Sequence, residues 1–479
     1  MTTNWNFEAT YLELRDMFYH RGPIHPVDTP ELVLFNEALA ASLGLDAEAV
    51  KEDVALLAGN IQTDTSFSEA YAGHQFGHFT MLGDGRALML GEHVTPNGKR
   101  VDVQLKGSGP TEYSRGGDGR AAIGPMVREF LISEAMHSLG IPTNRALSVV
   151  KTGEPVMRQR PEQGAVLTRV ASSHLRVGTF QYAAAAGSID DVIALADYAI
   201  RRHDPDLANQ PNRYEQFLGR VIARQAKLIA DWQLVGFIHG VMNTDNTFIS
   251  GEGLDYGPCA FMDTYHPQTV FSSIDREGRY AYANQPYIGS WNLARLAETL
   301  LPLLADTQEV AIDIANRLLN DYTETYKTAY FTGLAHKIGL YVRKEEDDAL
   351  TDELLRLMME TESDFTNTFR SLTLGEFESL PFASRDDGKA WLSAWQKRLG
   401  EQGLPDEDVT RLMRQHNPAV IPRNHHVESA IQAAARGDFA PTEMLLAVLR
   451  KPYDYETDHG RYVSPGPPRS YPYQTFCGT

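Results

Sequence analysis

The sequence has little cysteine, no long apolar run, and fewer basic than acidic residues. Two cysteines in 479 residues exclude a disulfide framework and a cysteine-rich zinc site. No apolar stretch approaches the roughly 18–20 residues that a membrane-spanning helix needs. The 44 basic and 63 acidic residues leave a net charge of −19, which repels nucleic-acid phosphates and anionic membrane surfaces. We therefore expect neither nucleic acid nor a membrane as a partner.

The N-terminus also lacks the features of an export signal. It reads MTTNWNFEATYLEL, with neither the basic nor the apolar region of a signal peptide. The hydrophobic fraction of 42% and the aromatic fraction of 10% are ordinary for a globular chain with a large core. The length corresponds to about three folding units or one large enzyme, at roughly 150 residues per domain. These features predict a cytoplasmic enzyme.

Hydrophobic patterning divides the chain into four predicted regions. Residues 1–60 are predicted to form an N-terminal helical extension, with Thr29 as a helix cap and Gly44 as its stop. Residues 61–180 combine strands, glycine-rich loops and one helix, and Asn97-Gly98 marks a hairpin between two of the strands. Residues 181–345 are mostly helical, and residues 346–479 are helices followed by an irregular tail. This order predicts an α+β fold.

A strand lysine and a helix glutamate are the first pair with a chemical meaning. Lys106 ends the second hairpin strand, in the arrangement in which protein kinases hold nucleotide phosphates. Glu129, in the middle of the next helix, is placed to pair with this lysine, as the corresponding kinase glutamate does. Glu134 on the same helix is a competitor for that role. Each residue alone is more often an ordinary surface charge.

A polar loop further along resembles the catalytic loop of kinases. Asn246 follows His239 at the spacing of the kinase metal-binding asparagine. Val241 occupies the position of the kinase base, and an aliphatic side chain cannot take a proton. Asp245 is the only carboxylate in this loop, so it is the candidate proton acceptor.

An aspartate that follows this loop is the candidate metal ligand. Asp255-Tyr256-Gly257 stands where the kinase Asp-Phe-Gly motif is expected. Asp263 is an alternative ligand, but it lacks the aromatic-glycine context. The order of Lys106, Glu129, the polar loop and Asp255 indicates a kinase-like nucleotide site, although each motif alone is weak.

The glycine-rich segments depart from the kinase pattern. Gly83 and Gly85 begin a phosphate-loop pattern, but Leu88 replaces the third glycine. A second glycine-rich loop carries Asp118-Gly119. Arginines cluster around these loops, although a lone arginine is most often a surface ion-pair partner. They are Arg86, Arg115, Arg120, Arg169 and Arg176. In an acidic chain this cluster favours a polyphosphate ligand.

Long motifs identify a family resemblance over essentially the whole chain. They are YAGHQFGHFTMLGDGRA, QLKGSGPTEYSRGGDGRA, LTRVASSHLRVGTF, HGVMNTDN, LDYGPCAFMD and IPRNH. With these segments the sequence resembles the selenoprotein O family, also called SelO or YdiU. The resemblance implies a protein-kinase-like two-lobed fold with N-terminal and C-terminal helical extensions. It also implies transfer of AMP from ATP to Ser, Thr or Tyr hydroxyls of proteins, with release of pyrophosphate and with ATP bound in a flipped orientation.

The resemblance also assigns roles to residues of this chain. Asp245 is implied as the proton acceptor, and Lys106 contacts phosphate and pairs with Glu129. The residues implied to line the nucleotide are Gly83, Gly85, Arg86, Lys106, Asp118, Gly119, Arg169, Arg176 and Asp255. Asn246 and Asp255 are implied to hold Mg²⁺ or Mn²⁺, with ATP as co-substrate. The implied partners are proteins bearing Ser, Thr or Tyr hydroxyls, including the chain itself.

Two cysteines and two histidines invite further hypotheses. Cys477 stands at the place of the selenocysteine of vertebrate members, which this chain lacks. Cys259 follows Asp255 closely, so a reversible disulfide between Cys259 and Cys477 is a hypothesis, although a lone cysteine is more often inert. His74 and His78 have a spacing that suggests metal binding. Because no third ligand is apparent, we expect these histidines to be structural.

Other activities use the same residues. An ordinary phosphotransferase would transfer the γ-phosphoryl group, but Val241 in the base position disfavours it. A non-catalytic nucleotide-binding scaffold is disfavoured because Lys106, Asn246 and Asp255 all remain. Uridylyl transfer from UTP stays open, because no sequence feature identifies residues that recognise the nucleobase.

Overall fold

The computed structural model describes residues 3–467 and 473–476, and it has mixed helix and strand content. The strands are β1 Phe7–Glu8, β2 Tyr19–His20, β3 Glu31–Phe35, β4 Ser68–Glu69, β5 Ala72–Gln75, β6 His78–Met81, β7 Ala87–Val94, β8 Arg100–Lys106, β9 Arg145–Met157, β10 Pro161–Ala171, β11 Phe237–Ile238 and β12 Ala260–Phe261. This content agrees with the predicted α+β class.

The helices carry most of the remaining chain. They are α1 Glu37–Ser42, α2 Ala47–Glu52, α3 Val54–Leu57, α4 Ile123–Ser138, α5 Val177–Ala186, α6 Ile189–His203, α7 Arg213–Leu234, α8 Gln285–Leu304, α9 Gln308–Lys337, α10 Asp347–Glu360, α11 Phe365–Leu374, α12 Asp386–Gly400, α13 Asp406–His416, α14 Asn424–Ala434 and α15 Ala440–Leu449. In the described part of the chain, every helix is too short or too polar to cross a bilayer.

A six-stranded antiparallel sheet forms the N-terminal half of the site. Its strand order is β1-β7-β8-β10-β9-β3. The hairpin predicted around Asn97-Gly98 is confirmed as β7 and β8, in which Ala87 pairs with Lys106 and Leu88 pairs with Leu105. Because successive strand residues face opposite sides, Lys106 and Leu105 lie on different faces of the sheet. Leu105 packs in an apolar cluster with Leu56 of α3.

The first 60 residues are not purely helical, so that prediction is only partly right. Residues 31–35, predicted to continue a helix from Thr29, form β3 and pair with β9 at the sheet edge. The helix begins instead at Glu37, and the Asn36 side chain caps it by accepting from the Leu39 N–H at 3.2 Å. Gly44 follows the helix with φ of +77°, as a stop signal should.

Helix α4 lies between the sheet and the C-terminal helices. Most of its side chains are buried, because β9 and β10 cover one side and α14 and α15 cover another. Helices α7, α8 and α9 pack together, and α10 to α13 contribute to a second apolar cluster. The C-terminal helices α14 and α15 therefore contact α4, which itself packs against the sheet.

The segment 473–476 lies along the loop that precedes α8. The Thr475 N–H donates to Phe271 O at 2.8 Å, and the Ser273 N–H donates to Thr475 O at 2.9 Å. Residues 451–467 are irregular apart from a short 3₁₀ turn over Gly460–Val463. The prediction of an irregular tail holds for these described residues.

Candidate functional site

The strand lysine and the helix glutamate meet as the sequence predicts. Lys106 Nζ lies 2.8 Å from Glu129 Oε2, and both side chains are buried. The competing residue, Glu134, is occupied elsewhere because its carboxylate binds Arg145 with distances of 2.8 and 2.7 Å. The position of Lys106 is therefore set by α4 and by the end of β8.

A second cation completes a cluster of four charges, three of them buried and the fourth, Asp255, partly exposed. Arg169 of β10 binds Glu129 through two nitrogens, with Nη2 at 2.9 Å from Oε2. The same Nη2 lies 3.0 Å from Asp255 Oδ1, and Lys106 also donates to that oxygen. Two cations and two anions thus compensate each other. Lys106, Arg169 and Glu129 are buried, and the Asp255 side chain is 30% exposed.

Asp255 stays ionised in this cluster. Burial alone would raise its pKa, but the charges of Lys106, Arg169 and Arg86 outweigh burial and hold the pKa well below its usual range. Its backbone has φ of +63°, a left-handed conformation that aspartate tolerates better than most residues. His239 holds the preceding segment, with Nε2 at 2.7 Å from Leu254 O.

The polar loop is braced by hydrogen bonds within it and from α8. Thr244–Asn246 forms a 3₁₀ turn. The side-chain amide of Asn246 donates to Val241 O at 3.1 Å, which leaves Oδ1 as its remaining polar atom. Asn292 of α8 donates to Met242 O at 3.0 Å from below. Asn246 is thereby presented by a braced loop.

The candidate proton acceptor lies under the β5–β6 hairpin. Asp245 is only 7% exposed, and a side chain at Gly73 of β5 would overlap its carboxylate. Within residues 3–467 and 473–476, its Oδ1 has no hydrogen-bond partner. Burial raises the pKa of Asp245 to about 6, although the charge of Arg176 opposes this shift. A carboxylate with this pKa is a competent base near neutral pH.

Arg176 joins Asp245 to the first glycine loop. Its Nη1 donates to Asp245 O at 3.1 Å, and its Nη2 lies 3.5 Å from Asp84 Oδ1. The guanidinium also stacks on Tyr71, with Cζ 4.1 Å from the ring centroid. Sequence reasoning missed Asp84, although its position between Gly83 and Gly85 was a signal.

The two glycine-rich loops pack against each other. Gly83 has φ of +132°, and a side chain there would overlap Tyr113 of the second loop. Thr111 donates to Asp84 O at 2.7 Å, and Ser114 donates to Gly85 O. The conformation of each loop therefore depends on contacts with the other, and these contacts cannot be predicted from either segment alone.

The remaining predicted nucleotide residues are more dispersed. Gly119 has φ of +62° and lies directly against Gly109. Asp118 beside it is exposed and binds Arg158 at 2.8 Å, outside the buried cluster. Arg86, at the start of β7, is close enough to Asp255 for its charge to lower the pKa of that residue.

A cavity of about 290 Å³ lies on the other side of the sheet. Its walls include His20, His25, Leu88, Ser108 and Thr111. Because Leu88 pairs with Leu105, the cavity is on the face opposite Lys106. It is therefore separate from the charge cluster.

The donor set suits a magnesium ion shared with phosphates. The described part of the chain contains no group of three or more His, Cys, Asp or Glu side chains suited to a metal. Mg²⁺ does not need such a cage, because it commonly takes one or two carboxylates together with phosphate oxygens and water. The oriented amide of Asn246 and the ionised carboxylate of Asp255 are hard oxygen donors of this kind. These residues fit the expected ion.

The histidines and cysteines take different positions. His74 Nδ1 lies 2.8 Å from Gln181 Nε2, and His78 is exposed on β6, so His74 has a structural contact. Cys259 is fully buried, and burial raises the pKa of its thiol to about 12. Cys477 lies outside the described residues, so its pairing with Cys259 stays a prediction.

Comparison with known proteins adds the family. The chain matches the family described as protein adenylyltransferase SelO over residues 1–450. A relative named protein nucleotidyltransferase YdiU, from Exiguobacterium sp. (strain ATCC BAA-1283 / AT1b), is 81% identical over 479 residues, covering 100% of both chains. Relatives of the same name are 55% identical in Geobacillus kaustophilus (strain HTA426), covering 100% of both chains, and 54% identical in Bacillus cereus (strain AH187), covering 99% of this chain and 98% of the relative.

Full-length matches of this kind define an enzyme of the protein nucleotidyltransferase class. The chain belongs to the SelO family, which confirms the resemblance of its motifs.

Proposed function

We propose that the chain transfers AMP from ATP to Ser, Thr or Tyr hydroxyls of proteins, including its own, and releases pyrophosphate. The proposal rests on the buried cations of the site, above all on Arg169, which joins Lys106 there. Arg169 joins Lys106 on Asp255, and Arg176 lies beside Asp245. A site built for adenine would be apolar at this depth, whereas three cations suit a triphosphate.

The same cations support the flipped orientation of ATP. AMP transfer requires the α-phosphate to lie near the proton acceptor and the metal ligands. The β- and γ-phosphates then need a cationic wall, which Arg169 of β10 and Arg176, the residue before α5, provide. The two-lobed kinase-like arrangement is part of this proposal, with residues 61–180 as one lobe and residues 181–345 as the other.

The chain's own residues perform the chemistry as follows. Asp245 accepts a hydrogen bond from the incoming hydroxyl and then takes its proton. Lys106 and Arg169 stabilise the charge that develops on the phosphates and on the departing pyrophosphate. Asn246 and Asp255 would hold Mg²⁺ or Mn²⁺, which neutralises phosphate charge when it is bound.

Intact mass after incubation with ATP and Mg²⁺ tests the proposal. AMP adds roughly 329 Da and phosphate adds roughly 80 Da, so the mass identifies which phosphorus was attacked. We expect the AMP increment in the wild type and its loss in Asp255→Ala. A phosphate increment would instead establish an ordinary phosphotransferase. Label from the α-position of ATP or UTP, followed into added proteins, separates adenylyl from uridylyl transfer and both from a non-catalytic scaffold.

The predicted redox pair needs its own experiment. The Thr475 hydroxyl donates to Pro258 O at 2.5 Å, so the described part of the tail passes beside the residue before Cys259. This proximity supports the proposal of a Cys259–Cys477 disulfide. A non-reducing peptide map of oxidised protein should contain the linked peptide. Its absence, with both cysteines recovered as free thiols, would refute the pairing.

A further inference from the structure

Two arginines enclose a tryptophan beside the candidate base. Arg279 Cζ lies 4.9 Å from the Trp291 ring centroid, and Arg295 Cζ lies 4.8 Å from it. The His74 ring meets the same tryptophan edge-on at 5.2 Å. Phe79, which is 44% exposed, lies 5.2 Å from the His74 ring. We call these five side chains the Trp291 patch.

The patch is connected directly to the polar loop. The backbone N–H of His74 donates to Thr244 Oγ1 at 2.6 Å, one residue before Asp245. Tyr280, which follows Arg279, donates to Asn243 Oδ1 at 2.7 Å. The patch therefore adjoins the loop that carries Asp245.

The charges of the patch are incompletely compensated. Within the described residues, Arg279 has no carboxylate at ion-pair distance, and Arg295 pairs only with Glu298, whose side chain is 57% exposed. Asp275 on the same segment accepts the backbone N–H groups of Arg279 and Tyr280 at 2.9 and 2.8 Å. Glu277, two residues before Arg279, is exposed and forms no ion pair with it within the described residues. The buried Nε atoms of both arginines lack hydrogen-bond partners in the same part of the chain.

This uncompensated positive charge contrasts with the chain as a whole, whose net charge is −19. A local excess of positive charge in an acidic protein favours an acidic partner at that place. Stacking on an aromatic ring also holds a guanidinium in a defined position for bidentate binding of a carboxylate.

We propose that the Trp291 patch docks an acidic segment of the acceptor protein, next to the hydroxyl that receives the nucleotide. The inference rests on the proposed function, because it takes a protein as the acceptor. Arg279 and Arg295 bind carboxylates of that segment, and Phe79 contacts its apolar side chains. The patch thereby favours hydroxyls that have Glu or Asp nearby.

A pair of synthetic acceptor peptides tests this inference. One carries Tyr and Ser flanked by glutamates, and the other has glutamine in place of each glutamate. We expect the wild type to transfer α-label with about tenfold higher kcat/KM to the glutamate peptide. The double variant Arg279→Gln/Arg295→Gln should lose this preference and keep its KM for ATP. Arg276→Gln is the matched control, because Arg276 is exposed on the same segment and lies outside the patch.

The outcomes separate this inference from the proposed function. Equal transfer to both peptides overturns the inference, as does a preference that survives in the double variant. If no label reaches either peptide or the chain itself, AMP transfer fails, and fluorescence anisotropy of the labelled glutamate peptide then decides. Binding that depends on Arg279 and Arg295 supports the patch, and absence of binding to the wild type overturns it.

Discussion

Arg169 Nη2 lies 3.0 Å from Asp255 Oδ1 while the same guanidinium binds Glu129. One side chain thus ties β10 to α4 and to the segment that carries the candidate metal ligand. Lys106 makes the same two connections from β8. The carboxylate of Asp255 is therefore positioned by two cations, and its orientation depends on both.

Replacing Arg169 tests this dependence. Arg169→Lys keeps the charge but cannot form the forked contact with Glu129, so Asp255 loses one of its two supports. We expect kcat/KM for nucleotidyl transfer to fall roughly 10²-fold, as when a positioned charge-stabilising group is lost. Arg145→Lys is the control, because Arg145 binds Glu134 on the same helix without contacting the cluster. Steady-state kinetics with labelled ATP measures both variants, and equal losses in the two would contradict the assigned role.

The pKa of Asp245 predicts opposite effects on activity and stability. As the proposed proton acceptor, Asp245 must be ionised for transfer, so kcat/KM should rise with pH through about 6. The free energy of unfolding should change in the opposite direction with pH. The pKa is about 6 in the folded chain and near 3.9 in the unfolded chain, so folding favours the protonated form, and stability is lost as pH rises through this window.

Asp245→Asn checks both effects. We expect nearly complete loss of transfer, together with a gain in stability at pH 7 of at most about 3 kcal/mol. Thermal unfolding between pH 4 and pH 8 measures the gain, which should shrink toward pH 4. A variant that is less stable than the wild type at pH 7 would show that ionised Asp245 does not destabilise the folded chain.

Sequence reasoning found the parts of the site that depend on local pattern. The hairpin, α4 and the polar loop follow from turn residues and periodicity, and kinase spacing then pairs Lys106 with Glu129. The contacts of Arg169 span 40 residues to Glu129 and 86 to Asp255, so no local pattern reveals them. The contact of Asp84 with Arg176 spans 92 residues and is hidden for the same reason, although the place of Asp84 between two glycines is a local signal.

The N-terminal region shows a second limit of sequence reasoning. Residues 31–35 read as part of a helix because helical apolar residues follow them directly. Their pairing with β9 decides in favour of a strand, and that pairing joins residues more than a hundred positions apart. Tertiary context overrides local propensity in short segments of this kind.

A buried lysine outside the site, Lys337, should make the stability of the chain depend on pH. It is 2% exposed, lies 4.3 Å from the Phe369 ring centroid and donates to His416 O at 3.4 Å. Burial lowers its pKa to about 7, against roughly 10.4 in an unfolded chain. Because the unfolded chain binds more protons between these values, stability should rise as pH increases from 7 to 10.

Lys337→Met removes the buried charge and keeps the aliphatic stem. We expect it to stabilise the chain by roughly 2–4 kcal/mol at pH 6 and by less at pH 9. Lys397→Met is the control, because Lys397 is 81% exposed and its replacement should change stability by less than about 0.5 kcal/mol. Urea unfolding at both pH values measures the difference, and a gain that is independent of pH would contradict the assigned charge.

The close contact between Gly73 of the β5–β6 hairpin and Asp245 leads to a further prediction. Its backbone is outside the left-handed region, so alanine is not excluded by conformation. A Cβ atom would, however, overlap the carboxylate of Asp245 and displace either the hairpin or the base. Gly73→Ala should therefore lower kcat by about 10–100-fold, because displacement of a catalytic group by about 1 Å has effects of this size.

The KM for ATP should change little in Gly73→Ala, since a Cβ atom there would meet Asp245 and none of the cations proposed to bind the phosphates. Gly400→Ala is the matched control, because Gly400 ends α12 and a Cβ atom there would meet nothing within 4 Å. It should leave transfer unchanged and should not lower the melting temperature. If Gly73→Ala instead keeps full kcat, the hairpin and Asp245 must separate before the hydroxyl is activated, and the contact belongs to the resting enzyme alone.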